Sequence, residues 1–251
     1  MARTNAKAPI VSALVQTVFF VSLAWTTCFL AWVSLRLVDF GYPLLYSALD
    51  IDGHIARYGP RNEFKAGFEQ TGREQRVALF AAIVDAVHAD GRGLRQLRYR
   101  DATGREQALL REPEVVHLES VARLIGRLKT ASWCMLALLA AALAAMRRMA
   151  LAPPRLRRVA AVSAAVLFGG TALVFALGPE NVFNTLHVWI FPPDEQWFFY
   201  YEESLMTTLM KAPDLFGAIA VLLLLAALAY GGLLLLASWR WLSPGSRPAP
   251  R

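Results

Sequence analysis

Four long stretches of this chain are apolar and carry no charge, at 10–35, 130–146, 159–179 and 215–239. A helix rises 1.5 Å per residue, so roughly 20 apolar residues cross the ~30 Å hydrocarbon core of a bilayer. The pattern therefore predicts four membrane-spanning helices. The second run is the shortest. Its helix is expected to continue upstream through Arg127 and Lys129, whose stems can lie in hydrocarbon while the charged heads reach the headgroups. The first run is far longer than the apolar core of about 7–15 residues in a cleaved signal, and is expected to stay as an anchor.

Between the first two runs the periods are those of a small folded domain. Residues 72–90 place Val77, Phe80, Ala81, Val84 and Val87 at helical spacing, with Gly91 and Gly93 to end the helix. Residues 94–111 alternate apolar and polar positions around Asp101, Thr103 and Gly104, a β-hairpin pattern. A helix from 112 begins with Pro113, a favoured first helical residue, and shows an apolar face at Val115, Leu118, Val121, Ala122 and Ile125. It is expected to run into the second span. Residues 39–71, with Gly59, Pro60 and Asn62, predict irregular chain or a short helix. The fourth polar segment, 184–216, is short and dense in aromatic residues: Trp189, Trp197, Phe198, Phe199, Tyr200 and Tyr201. Tryptophan and tyrosine favour the headgroup level of a membrane, so this loop is expected to lie at the interface.

The resulting fold class is an α-helical integral membrane protein: four transmembrane helices, a small α+β domain between helices 1 and 2, and an aromatic interfacial loop between helices 3 and 4. The division is 1–9, span 10–36, α+β domain 37–127, span 128–146, basic loop 147–158, span 159–179, aromatic loop 180–214, span 215–239 and tail 240–251. Composition places 243–251 as a disordered end.

Composition agrees with this class: 56% of the 251 residues are hydrophobic and 18% charged, too apolar for a soluble domain of this size. Charge adds orientation. Arg3 and Lys7 precede the first span. Arg147, Arg148, Arg155, Arg157 and Arg158 lie between the second and third, and Arg240, Arg247 and Arg251 follow the fourth; none of these segments holds an acid. By the positive-inside rule they are cytoplasmic, both termini included, and the other two segments are extracytoplasmic. Residues 39–127 balance 13 basic with 13 acidic side chains, whereas 180–214 holds six acids against Lys211. The net charge of +7 thus comes mainly from clusters beside membrane spans, which implies contact with anionic lipid rather than nucleic acid. Cys28 and Cys134 both fall inside spans, cannot staple the outer domain and read as small core residues. No Cys/His cluster has zinc spacing, and no metal or cofactor is expected.

The spans contain no Asp, Glu, Lys, Arg or His between their ends, which argues against a transporter, a proton pump or an intramembrane aspartyl protease. Chemistry is expected at the outer interface. Of the four histidines, His54 sits in a polar stretch and reads as a solvated surface residue. His88 ends the 72–90 helix, where the dipole favours a cation. His117 lies shortly before the second span and His187 just past the third, so both belong near one membrane plane. Either could be functional or a brace for a backbone group. Glu114, three residues before His117, could orient its imidazole as a carboxylate orients a catalytic histidine, or be an ordinary solvated contact.

These residues carry a resemblance. Glu114, His117 and Leu118, followed by His187…Phe191, Trp197 and Leu205…Pro213…Phe216, resemble the motifs of the four-span bacterial membrane protein family that includes the lipoprotein intramolecular transacylase. The chain departs from the pattern at Ser120, where members often carry an acid, and at Leu186, where an aromatic often stands. The resemblance implies a bacterial cytoplasmic membrane enzyme with a diacylated lipoprotein as substrate and membrane lipids as surroundings. It moves an ester-linked acyl chain of a diacylglyceryl-cysteine to the α-amino group of the same cysteine, giving the lyso form. It implies His117 and His187 as the catalytic pair, with Glu114 and Trp197 in support. Histidine suits both proton transfers that this reaction needs. Two other readings stay open on the residues alone: a non-enzymatic four-helix protein whose histidines are braces, and an acyl hydrolase or intermolecular acyltransferase using the same site.

Overall fold

The charge-free runs are helical, with one break at Gly178. In the computed structural model, which describes residues 7–243, the first long helix is α1 (Lys7–Arg36). Short helices α2 (Tyr42–Ala48) and α3 (Ile51–Tyr58), then α4 (Arg73–His88), lead to a hairpin of β1 (Arg98–Arg100) and β2 (Glu106–Ala108). Then come α5 (Glu112–Arg148), α6 (Leu156–Leu177), α7 (Pro179–Ile190), α8 (Leu205–Met210) and α9 (Asp214–Leu242). Four helices are long and apolar enough to cross a membrane: Pro9–Arg36, Glu112–Arg148, Leu156–Leu177 and Asp214–Leu242. Arg3 and the tail beyond Ser243, with Arg247 and Arg251, lie outside the described residues.

α5 has 37 residues, about 56 Å at 1.5 Å per residue, well beyond one hydrocarbon thickness. Its charge-free part, 130–146, is the portion suited to lipid. Residues 112–129 carry most of the helix's charges, all but Arg147 and Arg148, and belong to a different compact unit. Among the described residues, one unit takes in 7–31, 130–184 and 224–243; the other takes in 32–129 and 185–223.

In the first unit a small core gathers Phe19, Leu23, Leu139, Ala142, Met146 and Leu242. Several hydroxyls here bond the preceding turn, as low-dielectric surroundings favour, although the buried Thr26 Oγ1 has no partner among the described residues. Ser22 Oγ donates to the Val18 carbonyl at 2.6 Å and Ser238 Oγ to that of Leu234 at 2.7 Å. Trp25 Nε1 donates to Ser132 Oγ at 2.9 Å, tying α1 to α5. Cys28 and Cys134 are exposed on their helices, not core residues as expected. An apolar helix in a membrane need not turn its small side chains inward, because lipid solvates them. α6 ends at Gly178, whose φ of 83° only glycine adopts readily, and Pro179 starts α7 directly afterwards.

The second unit holds the larger core, built on Tyr42, Ile51, Ile55, Phe68, Phe80, Ile83 and Leu209. The Tyr42 and Phe80 rings stack at 4.0 Å. α4 buries Leu79, Phe80, Ile83, Val84 and Val87, so the stripe is rotated from the one expected, and it includes a charged residue, Arg76. The hairpin pairs Arg98 with Ala108 and Arg100 with Glu106. Its turn is closed by the Asp101 carboxylate, which accepts from the Thr103 and Arg105 amides. Residues 39–71 are mostly helical rather than irregular.

Two histidines have surroundings that differ from expectation. His54 is not solvated: it is buried on α3 between the rings of Tyr58 and Tyr201, 4.6 and 4.4 Å away, and burial pushes its pKa down. His88 does end α4, but as a neutral structural residue. Nδ1 donates to the Val84 carbonyl at 2.7 Å and Nε2 accepts from Trp32 Nε1 at 3.0 Å; burial lowers its pKa too.

Candidate functional site

The start of α5 fixes one side of the site. Arg111 precedes the helix and Glu114 occupies its third position. The Glu114 carboxylate reaches back to accept the Arg111 amide, one half of a capping box. Its other oxygen accepts from Ser204 Oγ. Ser204 is itself the N-cap of α8, accepting from the Thr207 amide at 3.0 Å. One fully buried carboxylate thus joins the first turns of two helices, and burial raises its pKa despite those hydrogen bonds.

His117 follows one turn later on α5 and is buried. The carboxylate at its ring is Glu195, not Glu114: Nδ1 lies 3.0 Å from Glu195 Oε1. The sequence spacing of three favoured Glu114, but the cap draws that side chain toward the helix start. Glu195 is only 5% exposed at its side chain. Its second oxygen accepts from Ser120 Oγ, and Arg123 Nη2 donates to the same hydroxyl at 2.6 Å. A carboxylate can only accept here, so His117 Nδ1 carries the proton and Nε2 keeps its lone pair. Burial lowers the His117 pKa, and Glu195 opposes that by favouring the charged ring.

Two Glu–Ser pairs therefore clamp the stretch between α7 and α8 onto α5, in opposite senses. Glu114 of α5 takes Ser204, and Ser120 of α5 gives to Glu195. His117 lies between them. This brings in His187 from α7, whose ring centroid is 6.3 Å from that of His117. Phe191 packs against both, at 4.8 Å from His117 and 5.4 Å from His187. Trp197 lies across His187 at 4.8 Å with a 31° tilt, and Phe199, itself buried, closes the far side of His117. The outer face of this segment stays apolar and open: Trp189, Phe198 and Tyr200 are exposed.

The structure thus brings His117, His187 and Trp197 together and leaves Glu114 one step removed. Sequence reasoning missed Glu195 and Arg123, and took Ser120 only as a departure from the family pattern. Chemically the arrangement is two imidazoles within reach of one small group, one ring fixed by a carboxylate, walled by aromatic side chains. No family model and no curated protein matches the sequence. Solved structures do match. One is the membrane integral lipoprotein intramolecular transacylase Lit from Bacillus cereus with a histidine-to-arginine substitution, at TM-score 0.62, covering 93% of this chain and 92% of that one. The fold is Lit-like. A histidine-to-alanine form of the same protein matches at TM-score 0.61, with 93% and 94% coverage. Identity to each Lit structure is 15%, so the likeness is one of architecture.

Proposed function

We propose that this chain is a membrane acyltransferase of the Lit type. It moves the acyl chain esterified at the middle glycerol carbon of a diacylglyceryl-cysteine lipoprotein to the α-amino group of that cysteine. The observation that carries the reading is the histidine pair at 6.3 Å with Glu195 on one ring, set in a Lit-like fold. The amine nitrogen attacks the ester carbonyl and forms the new C–N bond; His117 Nε2 takes the amine proton. The tetrahedral carbon then expels the glycerol oxygen, which gains a proton from His187, and the C–O bond breaks. Proton count is conserved and no water enters. Donor and acceptor share one molecule, so the site has only to fold the substrate upon itself, and an aromatic wall suits that task. Trp197 and Phe191 hold the His187 ring in place.

The test is mass spectrometry of lipopeptides from a host that lacks lyso-form lipoproteins and expresses this chain. The expected product keeps both acyl chains, one now on the α-amine. Loss of one acyl chain would identify a hydrolase, and an unchanged lipopeptide a non-enzymatic protein.

Two variants separate the carboxylates. Glu195→Gln can turn its amide N–H toward Nδ1 and force the proton to Nε2, so turnover is expected to fall about 10²-fold. Because Glu195 raises the His117 pKa, its loss should move the acidic limb of the residual rate profile to lower pH. Glu114→Gln keeps an acceptor for the Arg111 amide and a partner for Ser204, so its turnover should fall far less. Equal losses in the two variants would refute this division of roles.

In this reading the chain lies in a bacterial cytoplasmic membrane with both termini inside and the histidine pair on the extracytoplasmic side. A reporter placed after Arg158 should then read cytoplasmic, and one inserted at Thr103 external. The opposite pattern would invert the sidedness.

A further inference from the structure

α5 unwinds through a left-handed residue, Ala150, at φ 53°, with the Leu151 amide returning to the Met146 carbonyl at 2.9 Å. Pro153 and Pro154 stiffen the next step, and Arg155, Arg157 and Arg158 follow at the start of α6. With Trp239 of α9 these residues line an open cavity of ≈ 630 Å³. All three arginine side chains are exposed and make no hydrogen bond or ion pair among the described residues. Arg147 is committed elsewhere: it donates to the Trp241 carbonyl at 2.6 Å and sits 4.6 Å over the Trp241 ring. Between 130 and 184 the sole acid is Glu180, beyond the far end of α6.

Three like charges around one cavity repel one another unless an anion joins them. Guanidinium groups bind phosphate oxygens in pairs, which makes a phosphate the fitting anion. The surroundings say where that phosphate comes from. The cavity lies between the ends of two apolar helices, and Trp239 is a residue of the headgroup level. Val162 and Val166, one turn apart on α6, are exposed along the helix that leads away from it, and α6 buries no residue in its unit. An acyl chain attached to the phosphate would find a continuous apolar surface there.

We propose that this cavity is a binding site for the phosphodiester of an anionic phospholipid. Arg155, Arg157 and Arg158 take the phosphate oxygens, Trp239 packs on the glycerol backbone, and the acyl chains lie along α6. The site is separate from the histidine pair and does not depend on the acyl-transfer reading.

The test is native mass spectrometry of the full chain in detergent, titrated with phosphatidylglycerol, with phosphatidylcholine and with inorganic phosphate. The expected result is preferential retention of phosphatidylglycerol. A juxtamembrane arginine is worth about 5-fold in binding to anionic lipid, so Arg155→Gln, Arg157→Gln and Arg158→Gln together should weaken it about 100-fold. The triple lysine variant keeps the charge and loses the paired geometry, so it should fall between the two and also controls for insertion. Arg95→Gln with Arg98→Gln and Arg100→Gln, which removes as much charge elsewhere, should leave retention unchanged. Equal retention of phosphatidylcholine, no loss in the triple glutamine variant, or displacement of the lipid by inorganic phosphate alone would each overturn the proposal.

Discussion

Alanine at either His117 or His187 is expected to slow formation of the lyso product by about 10²–10⁴-fold, the usual worth of a general acid or base. The α-amine cannot form a C–N bond productively while it keeps its proton, and a glycerol alkoxide leaves slowly unless it gains one. Each histidine serves one of these demands, so the loss should appear in turnover. If the two act as a unit, the double variant should be scarcely slower than either single one. The rate should also carry a sign from burial. His117 must be neutral to act as base, and its pKa is held below the ordinary histidine value, so activity should persist below the pH at which a solvated histidine becomes charged. His54→Ala and His88→Ala are informative contrasts rather than silent controls. His54 fills an aromatic packet and His88 bonds Trp32, so each should lose stability while the surviving folded fraction transfers acyl chains normally. Full activity in His117→Ala or His187→Ala, measured on protein shown to be inserted, would remove the acid–base assignment.

What was legible in the sequence follows from which signals are local. Runs without charge gave the spans, because the bilayer imposes a length on each helix independently of its neighbours. The hairpin was readable from Asp101, Thr103 and Gly104, since a turn is specified by its own residues. Offsets from span ends put His117 and His187 near one expected plane, and the resemblance, not the spacing, made them a pair. Glu195 was not reachable that way. Its partner is 78 residues distant, and after Pro192, Pro193 and Asp194 it resembles any acid in a polar turn. The available signal was Ser120, a small hydroxyl on the His117 face where an acid is common; it hinted that the carboxylate arrives from elsewhere. Glu114 was misread because helical spacing of three was weighed without its place in the first turn, where a glutamate reaches back to the cap. His54 was misread because neighbouring charges suggested water, while the ring itself lies among tyrosines contributed by α3 and the distant 191–204 stretch.

Arg76 was passed over for a similar reason, since an apolar stripe was sought on α4 and a charge does not belong to one. Its side chain is 4% exposed, and its guanidinium is nearly saturated. Nε donates to Thr71 Oγ1 at 2.9 Å, Nη1 to Tyr46 at 2.9 Å and Asp52 at 2.6 Å, and Nη2 to the Glu69 carbonyl at 2.8 Å. One side chain thus ties α4 to α2, to α3 and to the turn before it. Arg76→Met fills similar volume but leaves the Glu69 carbonyl without its donor, while Thr71 Oγ1 still donates to the Phe68 carbonyl and the Tyr46 hydroxyl to Asp52. The unpaired carbonyl costs about 1–3 kcal/mol, whereas the Asp52 pair adds little, because that carboxylate is 71% exposed and water replaces its partner. The expected total is about 2 kcal/mol, seen as a fall of roughly 4–8 °C in the Tm of the purified chain. Arg76→Lys keeps a charge but cannot form the fork, so it should recover less than half of that. Arg76 touches neither histidine, so below the lowered Tm the Met variant should transfer acyl chains at nearly the parental rate. An unchanged melt would mean that the guanidinium network is replaced by water at no cost, and a lost rate in a folded Arg76→Met protein would mean that α4 positions the histidine pair.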